Sequence, residues 1–447
     1  MWGMGCLRWI RARPWHLSRA GQGPRVYGRR RAHGDLWRQC DIAAEHPTTK
    51  TSSSRTFCAN HIASSSTMVV STRREVTVSG ACEQPHHARS HPTKRKMASR
   101  FCGTLPRHAT PSPTRSFSGA TMLDIPAVVV FGEVILDLIA GPSGAHTPHT
   151  GGSPFNVALA LARQDVPVRL LSPLSDDPIG DRFARRLTEA GGTLGGGRSA
   201  RPTSVALVWI DANGQPDYAL YRDGIADLDT TPEALQHATP AGTRLVHTGA
   251  LTLTPEAVHL VHPWMQWLRT QGVTVSIDVN FRPKASRDLA AYIATVERTW
   301  PLCNMAKMSD EDLAGMGRSG PLDQEAARVM DQLPAHTGLV VITQGARGAY
   351  LLNRRGSAWV SAITPTRVVD TVGAGDCFQA GLLTALLERD LLRDQRFAFV
   401  NAETLRQLGQ QAAHTAVLNV ERAGCQPPMR AEVQRGMEAP LTPAEPS

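Results

Sequence analysis

From Ala127 onward the chain alternates short Val-rich apolar runs with Ala- and Leu-rich stretches of helical period, which restricts its fold more than any other feature. Ala127–Phe131 is such a run, closed by Gly132, and reads as a buried strand. Pro154–Arg163 has helical texture, Val168–Leu171 reads as a second strand, and Asp181–Ala190 as a helix stopped by Gly191-Gly192. Leu245–His247, Val273–Asp278 and Leu339–Thr343 are further strands, with helical stretches such as Pro255–Thr270 between them. Alternation at this spacing predicts an α/β fold: a doubly wound, mostly parallel sheet with helices on both faces. Thr203–Ile210 and Tyr218–Tyr221 break the pattern, because Asn213-Gly214 between them is a hairpin signal. A small β-sheet is therefore expected to project from the main body.

The net charge of +9 invites a nucleic-acid reading until it is divided along the chain. Residues 1–121 hold 20 Lys and Arg against 5 Asp and Glu, a net of +15, and the remaining 326 residues hold 28 against 34, a net of −6. Five of the eight cysteines (Cys6, Cys40, Cys58, Cys82, Cys102) lie in the basic segment without repeated spacing. Cys303, Cys377 and Cys425 follow far apart, with no CxxC pair. That pattern argues against a disulfide framework or a zinc site and points to a reducing, cytoplasmic setting. No apolar run approaches the ~18–20 residues a membrane span needs.

Residues 1–121 are rich in Arg, Ser, Thr, His and Pro without a sustained period, so this extension is expected to be disordered. Trp2 to Arg31 has the Arg-rich, acid-poor character of an organelle transit peptide. Lys94-Arg95-Lys96 offers a nucleic-acid contact. The plainer expectation is a dispensable extension, with Met122 as the working start, a domain over 122–435 and a tail over 436–447.

The chemistry concentrates near the C-terminus. Val368-Val369 precedes Asp370-Thr371-Val372-Gly373-Ala374-Gly375-Asp376, then Leu382, Leu383, Leu386 and Leu387 recur at helical spacing, so a helix begins near Gly375. Two glycines and an alanine leave N–H groups uncovered at the positive end of that helix, where they can face an anion. A carboxylate there opposes simple phosphate binding. It makes sense if Asp376 takes a proton from an attacking hydroxyl while the N–H groups hold transferring phosphoryl charge. Spacing alone is equally consistent with Asp376 merely capping a helix after a Gly turn. A second glycine cluster, Gly151-Gly152-Ser153-Pro154-Phe155-Asn156, permits close backbone approach to a ligand, and Asn156 offers both donor and acceptor.

These two segments resemble the C-terminal and N-terminal signatures of the PfkB/ribokinase family of carbohydrate kinases, fructokinase-like members in particular. The resemblance extends over about Ala127 to Glu432 and implies a ribokinase-like fold with a small β lid built around residues 137–149 and 203–228. It implies that Asp376 is the catalytic base and that Gly373, Ala374 and Gly375 form the anion hole. It also implies a monovalent cation such as K⁺, held partly by backbone oxygens around Asp370 and Val372. Gly132-Glu133 with Asp137 is similar to the family's first strand, whose acid grips sugar hydroxyls. Tyr221-Arg222-Asp223-Gly224 followed by Ala226-Asp227 is similar to the segment that closes over the sugar in fructokinase-like members. Asp278-Val279-Asn280-Phe281-Arg282 resembles an Asp-Pro-Asn-x-Arg element near substrate and phosphates, with Val279 in place of proline. Substrate contacts are thus expected from Asp137, Gly151, Gly152, Asn156, Arg222 and Arg282.

For the nucleotide, Thr343-Gln344-Gly345-Ala346-Arg347-Gly348 resembles the family's strand and turn at the ATP site, which assigns Thr343, Gly345 and Gly348. Lys307-Met308-Ser309-Asp310-Glu311-Asp312 falls on an Asn-x-x-Glu element that influences Mg²⁺ and phosphate; Ser309 replaces the Asn, Asp312 the Glu, and Lys307 is assigned to the nucleotide. Asp165, Ser172 and Ser175 stand where the family has glycine, and Ala412 or Ala413 where it has an Asn beside adenine. Gly192–Ser199 nearly spells a P-loop but follows a helix, not a strand. Cys377 reads as a small packed side chain. The expectation is an ATP- and Mg²⁺-dependent sugar kinase, fructose first, with 2-dehydro-3-deoxygluconate or ribose as alternative substrates and a homodimer through the lid. A sensor that binds sugar without catalysis, or nucleic-acid binding by the basic segment, are the readings from other classes.

Overall fold

The computed structural model describes residues 127–141, 144–210 and 216–438. The basic extension, the Asn213-Gly214 turn and the last nine residues therefore lie outside the described residues. In chain order come β1 (Val128–Val130), β2 (Ile135–Ala140), β3 (His146–Gly151), α1 (Ser153–Arg163), β4 (Val168–Leu170), β5 (Leu174–Ser175), α2 (Pro178–Glu189), β6 (Thr193–Leu194) and β7 (Arg198–Ser199). Then follow β8 (Ser204–Ile210), β9 (Pro216–Tyr221), α3 (Pro232–Ala238), β10 (Leu245–Gly249), α4 (Val258–Thr270), β11 (Thr274–Asp278), α5 (Leu289–Thr299) and β12 (Met305–Ser309). The last group is α6 (Asp310–Gly315), α7 (Leu322–Gln332), β13 (Leu339–Thr343), β14 (Gly348–Asn353), β15 (Ser357–Ser361), α8 (Ala374–Glu388), α9 (Ala402–Val420) and α10 (Arg430–Glu438).

Nine strands form one sheet in the order β15-β14-β13-β12-β11-β10-β1-β4-β6, parallel from β13 through to β6 and antiparallel at the β14 and β15 edge. Alternate residues of each central strand point to opposite faces. Val128 and Val130 pack into one core with Phe155, Leu161 and the α8 leucines, while Val129 joins a second with Val261 and Trp264. Both faces are covered, so the strands read as continuous apolar runs. The chain leaves β1 for β4 and β6 on one side, then returns to β10 on the other. Such a reversal opens a crevice beyond the carboxyl ends of the strands, which is where open α/β sheets take ligands.

β3, β2, β8 and β9 form the small separate sheet. Its inner residues, among them Ile135, Asp137, Ala206, Val208, Tyr218 and Leu220, line the cavity at that crevice. The helix expected from Asp181 begins earlier, at Pro178, because Asp177 Oδ1 accepts the N–H groups of Ile179 and Gly180 at 2.9 Å. Asp165, in the place of a glycine, adopts φ 58°, a left-handed turn Asp tolerates better than most residues. The run resembling a P-loop forms the short strands β6 and β7 after α2 and opens no helix. At the other end, α10 continues to Glu438, past the boundary expected at residue 435. No helix among the described residues is long and apolar enough to cross a membrane.

Candidate active site

The end of β1 and the start of α1 meet through glycine. Gly152, the N-cap of α1, holds φ 100°, and a side chain there would overlap the Glu133 carbonyl. Pro154 in the first turn suits a helix start that needs no donor. This close entry brings Ser153 and Asn156, three residues apart on one helix face, to the crevice. Ser153 Oγ donates to Asp376 Oδ1 at 2.6 Å, and Asn156 Nδ2 donates to Asp376 Oδ2 at 2.8 Å.

Asp376 stands in the first turn of α8, whose N-cap Gly373 is left-handed with φ 76°. The N–H groups of Gly375 and Asp376 find no backbone acceptor, as the first turn of a helix dictates. Lys307 Nζ lies 3.6 Å from where a Cβ on Gly375 would stand. Anion-binding groups of two kinds, free helix amides and an ammonium, therefore converge beside the carboxylate. Burial pushes Asp376 up, against hydrogen bonds from Ser153 and Asn156 and the charges of Lys307 and Arg282.

Lys307 Nζ also contacts Asp278 Oδ2 at 2.6 Å, and Asp278 Oδ1 is buried without a hydrogen-bond partner. Burial raises Asp278 to about 6 despite the Lys307 charge. Asp137 reaches the cavity from β2; burial, with the Asp376 charge second, pushes it up to about 6. A side chain on Gly151 would strike the Asp137 carboxylate. Glu133 Oε1 accepts from Ser153 N at 3.2 Å and Oε2 from Leu251 N at 3.3 Å, and its burial lifts it to about 7.

One cavity of about 1030 Å³ joins these groups. Its lining includes Asp137, Asn156, Arg282 and the inner face of the small sheet, then Gly373, Ala374, Gly375 and Asp376, and also Thr343, Gly345, Gly348 and the α9 residues Ala413, Ala416 and Val417. Ala412 and Ala413 both pack in the core, and of the two Ala413 lines the cavity.

Not every expected residue arrives there. Arg222 is not among the cavity-lining residues: its Nη1 donates to Ser204 Oγ at 2.8 Å and pairs with the buried Asp227 at 3.1 Å. Asp227 Oδ2 also accepts from Val134 N at 2.9 Å, so this ion pair braces the chain after β1. Asp312 does line the cavity, while its two oxygens also accept from Phe281 N and Ser309 N at 2.7 Å each in capping α6. Asp370 likewise accepts from Val372 N at 3.0 Å and Gly424 N at 2.8 Å, while the Val372 carbonyl accepts from Asn419 Nδ2 at 2.8 Å. The Val372 carbonyl, one of the oxygens expected near a monovalent cation, thus uses one lone pair on the Asn419 amide and keeps the other. Cys377 is fully buried and burial raises its thiol, as for a packed side chain. Ser172, in place of a glycine, donates to Gly132 O at 2.6 Å and accepts from Gly132 N at 3.0 Å.

Sequence reasoning missed Ser153 as a partner of Asp376 and Glu133 as its anchor. The Ser153 bond joins residues 223 positions apart, and no local period signals it.

Residues 126–432 match the pfkB family carbohydrate kinase profile. A fructokinase of Rhizobium leguminosarum bv. trifolii is 31% identical over 287 residues, 62% of this chain and 85% of the relative. Fructokinase-2 of Solanum lycopersicum is 27% identical over 280 residues, 60% of this chain and 84% of the relative. Among solved structures, the fructokinase of Xylella fastidiosa with bound ATP superposes with a TM-score of 0.61 at 23% identity, covering 70% of this chain and 99% of that one. The Vibrio cholerae fructokinase with fructose, ADP and calcium gives 0.59 at 23%, covering 69% and 97%. The ribokinase-like fold, the profile match and the convergence of both glycine signatures on one cavity agree: this chain belongs to the pfkB family of carbohydrate kinases and is a phosphotransferase that phosphorylates a sugar with ATP.

Proposed function

We propose that the chain transfers the γ-phosphoryl group of ATP to a primary hydroxyl of a small neutral sugar, fructose first, with Asp376 as general base. The observation that carries this reading is the buried Asp376 carboxylate, clamped through both oxygens by Ser153 and Asn156 in a cavity that Asp137 also lines. Asp137 and Asn156 orient the sugar. Asp376 accepts the proton of the attacking hydroxyl, and the free N–H groups at the start of α8 with Lys307 hold the charge on the transferring group. Thr343, Gly345 and Gly348 form the far wall for the nucleotide.

Among the described residues no group of three or more His, Cys, Asp or Glu could hold a metal ion. Bound with the nucleotide, Mg²⁺ would neutralise phosphate charge. A monovalent cation would be held partly by backbone oxygens around Asp370 and Val372, whose carbonyl retains a lone pair beside the Asn419 amide.

The Arg222–Asp227 pair supports a neutral sugar, since it takes away one of the two cations an acidic sugar would use. Arg282 stays at the cavity, so 2-dehydro-3-deoxygluconate is the competitor to beat. The outer face of the small sheet presents Trp209 and Tyr221, 37% and 58% exposed, a surface suited to a homodimer through the lid. Lid closure would exclude water from the reacting centre.

ADP release with fructose, ribose, 2-dehydro-3-deoxygluconate and adenosine tests the substrate; faster turnover of the acidic sugar removes fructose from first place. Asp376→Asn is expected to lower kcat by roughly 10²–10⁴ with sugar affinity kept. Wild-type-like turnover in that variant ends the base reading.

A further inference from the structure

Ser153 makes the shortest hydrogen bond given to Asp376, 2.6 Å against 2.8 Å from Asn156. That length is typical of a hydroxyl donating to an ionised carboxylate. A serine hydroxyl has one proton to donate, so giving it to Asp376 Oδ1 favours the charged form of the acid. Ser153 is 7% exposed and Asp376 8%, so water scarcely competes. The serine is itself fixed from behind. Its N–H donates to Glu133 Oε1, whose second oxygen accepts from Leu251 N, tying the end of β1, the start of α1 and the segment after β10 into one bracket. Since Asn156 holds the other carboxylate oxygen from the same helix, the two donors together fix the plane of the carboxylate.

We infer that Ser153 is a positioning residue for this kinase: its buried hydroxyl, anchored through Glu133, orients the Asp376 carboxylate toward the sugar hydroxyl and keeps it ready to accept a proton. This rests on Asp376 being the base. Ser153 need not touch substrate to act.

Other groups around Asp376 also respond to pH or carry charge. Asp137 faces it from β2, Asp278 from β11, Arg282 from the loop after β11 and Lys307 from β12, with Cys377 adjacent in α8. Asp137 belongs to sugar binding, so its ionisation acts mainly on sugar KM; kcat at saturating sugar reports the base in the bound complex.

The test measures kcat against pH at saturating ATP and fructose, or whichever panel sugar turns over, in Ser153→Ala, Ser153→Thr and Asp376→Asn. Removing the donor makes Asp376 easier to protonate. Ser153→Ala is therefore expected to move the acid limb of kcat up by about one pH unit. It should lose about five- to tenfold in kcat below the limb and recover toward wild type at high pH, with sugar KM within about twofold. Ser153→Thr keeps a hydroxyl and should return the limb toward its wild-type position. An unmoved limb with unchanged kcat in Ser153→Ala, while Asp376→Asn is inactive, overturns the role of Ser153 alone. A raised sugar KM with an unmoved limb makes Ser153 a sugar contact and overturns it too. Wild-type-like turnover in Asp376→Asn removes the base reading itself.

Discussion

Lys307 Nζ lies 2.6 Å from Asp278 Oδ2 across the β11–β12 pair, with both side chains almost fully buried at the floor of the cavity. The two residues are direct register partners on adjacent parallel strands, so the sheet itself sets their approach. Removing one member of a buried pair strands the other charge, which costs about 3–5 kcal/mol.

Lys307→Met is therefore expected to lower the thermal midpoint and to leave Asp278 protonated. In the proposed reaction Lys307 also shares the phosphoryl charge, and losing one such group costs about 10²–10³ in kcat. Affinity for a non-hydrolysable ATP analogue should fall more than affinity for ADP, because the proposed reaction sets the γ-phosphoryl against Lys307 and the α8 amides beside it. Calorimetry with both nucleotides checks this. Equal losses for the two would place Lys307 away from the transferring group.

If Asp137 grips the sugar as proposed, it sets a pH dependence of sugar binding. Burial, and then the neighbouring Asp376, raise it to about 6. Only the ionised carboxylate accepts hydrogen bonds from sugar hydroxyls through both oxygens. Sugar affinity should accordingly be constant above pH 7 and weaken as pH falls through about 6. Asp278 has a similar value of about 6 but is tied to Lys307, so the assignment needs a variant. In Asp137→Asn the sugar should bind weakly at every pH between about 5 and 8, with the slope gone. A retained slope in that variant would move the titration to another group.

Much of the fold was legible because its signals are local. Val128–Val130, Leu245–Val246 and Leu339–Ile342 are β-branched or leucine runs buried on both faces, and glycines or capped helix starts punctuate them. β12 was harder to read, since Lys307 interrupts an otherwise apolar run. β14 and β15 lie at the antiparallel edge, half buried, where composition discriminates poorly. At the site, Asp376 and Asn156 stand out because each sits in a compact glycine motif. The Arg222–Asp227 pair was not legible, because the two residues, five apart, meet only once the chain turns through the short helix at Ala226–Leu228. The backbone bonds of Asp312 and Asp370 were likewise illegible, because their donors Phe281 and Gly424 lie 31 and 54 positions away.

Gly373 gives the sharpest test of how far the proposed anion hole depends on backbone alone. Its φ of 76° is left-handed, which strains any residue with a Cβ by about 1–2 kcal/mol. A Cβ there would also lie 2.5 Å from Cys425 Sγ, and Cys425 is buried, so the sulfur must shift and carry the chain after α9 with it. That chain is tied back to the same loop through Gly424 N and Asp370 Oδ2 at 2.8 Å. Gly373→Ala should therefore disturb the start of α8 without deleting any polar group of the site. Expected are a lower thermal midpoint and a drop in kcat of at least tenfold, with sugar affinity held by Asp137 and Asn156. Adding Cys425→Gly removes both the sulfur and the Cβ that a side chain at 373 would strike, at 2.5 and 2.8 Å, but leaves the backbone strain at 373. Partial recovery of the midpoint in the double variant, with kcat still depressed, would separate the steric clash from the loss of amide geometry. Full recovery of kcat would instead show that the left-handed conformation of Gly373 is dispensable for the anion hole.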